Sequence, residues 1–215
     1  MSQNAQLSSG MKHPALQGHV AFFDTDNDDI IWPTDTFKGF RAIGFGVFFS
    51  LLSMIIIHSG FSYLTFGTLL PDPCFRLRVS RINRAIHGSD TGIYTQTGEL
   101  DESRFDFVFA LYSAAPHAHL SFSEGVALVR GNRNPFDVFG WIAAVFEWGS
   151  VFLLLAQDGQ VKREDVHDIM NGTLFPRLAA ENEAKKKHEA QMRAELDGDE
   201  DDENEDTQYT KVKED

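Results

Sequence analysis

Four aspartates, Asp24, Asp26, Asp28 and Asp35, stand at positions 1, 3, 5 and 12 of a twelve-residue run. That is the spacing by which a helix–loop–helix turn gathers oxygens around calcium, a hard cation that takes six to eight of them. Position 7, Ile30, would add its backbone carbonyl. Trp32 at position 9 has no side-chain oxygen, so water would fill that vertex. Two departures weaken the site. Position 6 needs a positive φ and is ordinarily glycine; Asp29 can adopt it at a cost of about 1 kcal/mol. Asp35 replaces the usual glutamate at position 12 and is one methylene short for bidentate reach. The spacing therefore predicts weak calcium binding with magnesium competing. Without an ion, the same residues would read as an acidic helix-capping loop.

Such a loop works only between two helices. Phe22-Phe23 before it and Phe37 and Phe40 after it stand where flanking helices would pack. Three later segments echo the loop: Gly98-Glu99-Leu100 before a helix over 103–112, His119-Leu120-Ser121 before 122–129, and Asp158-Gly159-Gln160-Val161 before 164–170. Each puts one apolar residue (Leu100, Leu120, Val161) where Ile31 stands, the position that forms the short β-bridge between paired loops. None keeps the carboxylates for an ion. The fold class expected is mainly α, built of EF-hand-like helix–loop–helix units: one calcium loop plus degenerate partners. Between them, 76–86 reads as a short amphipathic helix. Asn134-Pro135 reads as the start of an aromatic helix over 136–156, with Glu147 its only charge past Asp137. That helix is either core or the wall of a site for a flat apolar ligand or acyl chain.

The stretch from Ala42 to Leu69 has no Asp, Glu, Lys or Arg. One bilayer span needs about 20 apolar residues, so the stretch is too short for two. Basic residues flank both ends, which removes the asymmetry that orients a span. A shallow membrane- or monolayer-associated hairpin turning near His58-Ser59-Gly60 would keep both flanks on one side. The alternative is a pair of soluble core helices.

The net charge is −13, and 14 acidic against 6 basic residues from Glu181 onward account for most of it. This balance argues against nucleic acid as a partner. The lone Cys74 excludes an intrachain disulfide and fits a reducing, cytosol-facing location. Residues 1–17 lack the apolar core of a secretory leader. The organisation expected is a flexible N-terminus (1–17), a calcium unit (18–41), an apolar lipid-associated segment (42–70), a helical region with degenerate loops (71–180) and a charged, largely disordered tail (181–215).

Several motifs in order, Gly18-His19-Val20-Ala21-Phe22-Phe23-Asp24, Gly39-Phe40-Arg41-Ala42-Ile43-Gly44-Phe45, Ile86-His87-Gly88-Ser89-Asp90-Thr91-Gly92-Ile93-Tyr94, Glu124-Gly125, Gly131-Asn132-Arg133, Asp137-Val138-Phe139-Gly140-Trp141 and Gly172-Thr173-Leu174-Phe175, resemble the caleosin family. The resemblance covers about 19–175. It implies a fungal-type member, with a proline knot reduced to Pro71 and Pro73. It also implies a calcium-binding haem peroxygenase of lipid droplets and the ER membrane, cytosol-facing. Such an enzyme moves oxygen from fatty-acid hydroperoxides to unsaturated fatty acyl acceptors, forming oxylipins. The cofactors implied are haem b and Ca2+, and the haem-associated histidines match His19 and His87. By themselves these histidines could equally pack, cap or hold a turn. If both bound iron, no position would remain for peroxide, so one should be axial ligand and the other an acid/base. The sequence does not say which. Because His19 precedes the apolar segment and His87 follows it, one haem can meet both only if the flanks share a side. The runner-up reading is a non-enzymatic, calcium-regulated droplet coat or docking protein, and a third is a soluble calcium sensor. Homo-oligomerisation stays open.

Overall fold

A computed structural model describes residues 13–211, with side chains to residue 194. Most of the expected N-terminal segment 1–17, and the last four residues of the tail, lie outside the described residues. Helix α1, Ala15–Ala21, enters the acidic loop. Strand β1, Ile30–Ile31, and helix α2, Pro33–Ala42, leave it. Pro33 opens α2, where its missing N–H would have had no intrahelical partner anyway.

Helix α3, Val47–Phe66, is continuous and stops at Gly67 in the left-handed conformation. The hairpin expected to turn near His58–Gly60 is therefore not formed. Of the residues that suggested a break, His58 instead joins Ser50, Ser53, Ser62 and Thr65 on one buried face of a single helix, while Ser59 is exposed. Ser50 and Ser53 bond back to the carbonyls of Gly46 and Phe49, a local bond that a helix accommodates without breaking. Gly60 faces the ring of Phe139, where a Cβ would lie 2.5 Å from a ring carbon.

After the proline turn come strand β2, Leu77–Arg78, and a 3-10 helix, Val79–Ala85, kinked at Arg81, where an amphipathic α-helix was expected. Asp72 organises this stretch. Its carboxylate accepts bonds from Arg76 Nε at 2.9 Å and from the Cys74 N–H at 3.1 Å. β2 pairs antiparallel with β1, Ile31 opposite Leu77. The partner of the calcium loop is thus α3, the proline turn and the 3-10 helix, rather than any of the three echoes.

The second half repeats the plan. Helices α4 (Glu102–Tyr112) and α5 (Phe122–Gly131) flank β3 (His119–Ser121). Helices α6 (Val138–Leu155) and α7 (Arg163–Met170) flank β4 (Gln160–Lys162). Here two of the three echoes pair with each other, Leu120 opposite Val161, each at the bridge position expected of it. Leu100 only bridges to nearby Tyr94. α6 starts two residues later than expected. Phe136 has φ 68° and lies outside, and Asp137, rather than Asn134, caps the helix by accepting the Gly140 N–H at 2.9 Å. Helix α8, Leu174–Lys211, follows and takes in most of the charged segment from Glu181.

Each pair has its own core. Phe105, Phe109, Leu120, Leu128, Val161 and Val166 fill the second. Phe23, Ile31, Phe40, Phe45 and Leu77 fill the first. Each large apolar side chain removed from water contributes roughly 1.5–3 kcal/mol before the opposing entropy.

Candidate functional site

The two histidines named by the sequence lie 68 positions apart, and the structure puts both on the wall of one cavity of about 270 Å³. His19 lies in the last turn of α1, and His87 follows the 3-10 helix. α3 contributes Ile57 and Phe61, and α6 contributes Phe139, Phe146 and Trp148. The ionisable lining is His19, His87, Asp90, Tyr94 and Glu147.

The histidines sit in unlike surroundings. His19 Nδ1 is 2.8 Å from the carbonyl of Ile169 in α7. A carbonyl only accepts, so Nδ1 carries the proton and Nε2 keeps a free lone pair. Burial pushes the His19 pKa down, against the Ile169 bond that raises it, and favours the neutral ring. The ring packs 5.0 Å from that of Phe175.

His87 faces carboxylates. Its Nε2 is 3.6 Å from Glu147 Oε2 and its Nδ1 3.9 Å from Asp137 Oδ2. Nδ1 is buried without a hydrogen-bond partner among the described residues. Burial alone would lower the His87 pKa, but Glu147, Asp90 and Asp137 together carry it above the ordinary value. Asp137 is held in turn by the Ser89 hydroxyl at 2.7 Å. Sequence reasoning missed this acidic setting. Its signal was Glu147 itself, an isolated charge on an otherwise apolar helix.

In the loop, carboxylate oxygens of Asp24, Asp26 and Asp28 lie within 4.8 Å of one another. Asn27 (φ 56°) and Asp29 (φ 73°) supply the left-handed corners. Asp24 accepts the N–H groups of Asp28 and Asp29, at 3.1 and 3.0 Å. Burial, with the neighbouring Asp26 and Asp28, raises the Asp24 pKa despite those bonds. Asp35 stands apart from the three: its Oδ2 accepts the Trp32 N–H at 3.0 Å and caps α2. Ile30 lies in β1 opposite Arg78.

Both implied groups suit these residues. Three carboxylates around a loop of this shape match calcium's preference for hard oxygens. A cavity with mostly apolar walls, an imidazole with a bare Nε2 and a buried, unpartnered His87 Nδ1 match a haem.

The profile of the caleosin-related family matches residues 11–179. A peroxygenase of Lilium longiflorum is 35% identical over 80% of this chain and 72% of its own length. A probable peroxygenase 4 of Arabidopsis thaliana is 35% identical over 86% of this chain and 98% of its own. A probable inactive peroxygenase-like protein of the same plant is 28% identical over 66% and 68%. No solved structure matches. The chain belongs to the caleosin family, and its helix-rich fold with two long apolar helices is that of a mainly α member.

Proposed function

We propose that the protein is a calcium-binding haem peroxygenase of a lipid surface, transferring oxygen from a fatty-acid hydroperoxide to an unsaturated acyl chain. The observation that carries this reading is the meeting of His19 and His87, from separate segments, on one largely apolar cavity. When bound, haem b supplies cleavage of the peroxide O–O bond and delivery of its distal oxygen. The protein does the rest. His19, with Nδ1 tied to Ile169, offers Nε2 to the iron. His87, beside Glu147 and Asp137, holds a proton near the peroxide and returns it to the departing alkoxide, giving the alcohol. The apolar walls orient acyl chains and exclude water. Asp24, Asp26 and Asp28, with the Ile30 carbonyl and Asp35, would hold calcium and fix the loop that follows α1.

The lipid surface is supported by α3, whose buried face is polar and whose outer face carries Val47, Phe48, Leu51, Leu52 and Ile55. α6 adds exposed Val138, Ile142, Val145 and Leu153. A water-soluble helix is patterned the other way. Both helices are long and apolar enough to cross a bilayer. The β1–β2 pair nevertheless ties the flanks of α3 together, which supports a reading in which α3 lies along a droplet or ER monolayer rather than crossing it. In that pose both histidines would lie on one side, as the expected hairpin required.

The apolar face would also serve a coat protein without haem, so the deciding experiment concerns haem. Purified full-length protein should show a hemin Soret band and transfer oxygen from a fatty-acid hydroperoxide. His19→Ala should lose the band, and His87→Ala should keep most of it while losing transfer at least a hundredfold. Equal hemin binding by wild type and the double variant would leave the coat reading standing.

A further inference from the structure

Asp29 looks like a defect in the loop, an aspartate at a positive-φ position where glycine is cheaper. Its oxygens say otherwise. The Asp29 carbonyl accepts the Val79 N–H at 3.0 Å. Oδ1 accepts the Ser80 N–H at 2.6 Å and Oδ2 accepts the Ser80 hydroxyl at 2.7 Å. Arg78 Nε stands 3.9 Å from Oδ2. Val79 and Ser80 open the 3-10 helix, where N–H groups lack partners within the helix, and two residues beyond the helix lies His87. The Asp29 N–H, meanwhile, donates to Asp24 Oδ2. A glycine would make the turn but offer no carboxylate to Ser80.

We propose that Asp29 is a positioning residue: it couples the calcium loop to the 3-10 helix and thereby sets the pose of His87. Ion binding by Asp24 fixes the loop and hence Asp29. Asp29 then holds Val79 and Ser80, the first turn of the segment that ends at Ile86-His87. Calcium and haem are linked through this contact, and the linkage is reciprocal. The part of this that concerns haem rests on the peroxygenase reading above; the coupling of loop to helix does not.

The test uses the full-length protein with Asp29→Gly, Asp29→Asn and Ser80→Ala. Calcium affinity is measured by calorimetry, hemin affinity by Soret titration with and without calcium, and amide exchange over 79–87. In wild type, calcium should slow exchange over 79–87 and tighten hemin binding about five- to tenfold. Asp29→Gly should bind calcium as tightly or more so, yet lose the protection and bring the effect on hemin below twofold. Asp29→Asn, which keeps an acceptor for the Ser80 N–H, should retain part of both. Ser80→Ala, which leaves the loop sequence intact, should weaken both. Calcium-dependent protection in Asp29→Gly equal to wild type, or none in wild type, overturns the coupling. Absence of hemin binding with that protection intact in wild type and lost in Asp29→Gly overturns the haem reading and supports the coupling.

Discussion

The two helix–loop–helix pairs are built on one plan and solve the same electrostatic problem in opposite ways. Each is stitched by a dry apolar pair, Ile31 with Leu77 and Leu120 with Val161. Counting from that bridge, Glu124 stands in α5 where Asp35 stands in α2, four residues after the apolar position. In the second pair, Glu124 satisfies itself within the chain. Its carboxylate accepts the N–H groups of Ala114 and Ser121, each at 2.7 Å, and these bonds hold its pKa below the usual range. In the first pair Asp24, Asp26 and Asp28 gather without an ion pair to any of the described residues, and Asp24 is pushed up. One loop is complete as folded; the other, on the calcium reading proposed above, is completed by an ion. The pairs also exchange support, since His19 of the first is oriented by Ile169 of the second.

The largest expected effect is on the self-sufficient half. Phe109 is 1% exposed in the second core. Phe109→Ala should cost roughly 3–5 kcal/mol in urea unfolding, and the loss should be the same in calcium and in chelator. A loss that depended on calcium would show that the pairs do not divide the labour in this way. Next comes the seam between them. Gly172 has φ 81°, and a Cβ there would lie 2.7 Å from the backbone carbon of Gly18, beside His19. Gly172→Ala should cost about 2–3 kcal/mol and weaken hemin binding, because α1 must move away from Ile169. Unchanged hemin affinity would mean that His19 is not held by the second pair.

The acidic turn between α1 and α2, the bridge positions of Leu120 and Val161 and several helix bounds were legible in the sequence because each rests on local spacing. What escaped depends on distant partners. Leu77 pairs with Ile31 from a two-residue strand between prolines and arginines, with no carboxylate pattern to mark it. His58 looked like a hairpin turn but is a buried bridge, bonded to Thr36 Oγ1 at 2.7 Å and to the Phe75 carbonyl. A polar stripe inside an apolar helix resembles a break until the packing face is known. His19 and His87 were inseparable in sequence because what distinguishes their surroundings, Ile169 for one and Glu147 with Asp137 for the other, lies 150 and about 50–60 residues away.

The smallest effect separates the two loops most directly, because their acids should respond to pH with opposite sign. The Glu124 pKa is lowered in the folded chain from its ordinary 4.5. Its contribution is therefore present above that value and is lost as pH falls through the folded one. The Asp24 pKa is raised from 3.8, so in chelator its contribution is present below that value and is lost as pH rises through the folded one. Acidifying calcium-free protein from neutral pH toward the ordinary carboxylate range should thus relieve the first loop before it begins to weaken the second. Amide exchange should slow around 24–31 over that range while 119–121 stays constant. Glu124→Gln should cost about 1–2 kcal/mol at pH 7 and flatten the acid limb of the second pair alone. Asp24→Asn should abolish the response of 24–31, and calcium should abolish it too, since an ion-bound carboxylate has no proton to take up. Matching pH responses in the two loops would mean that the first is not waiting for a cation.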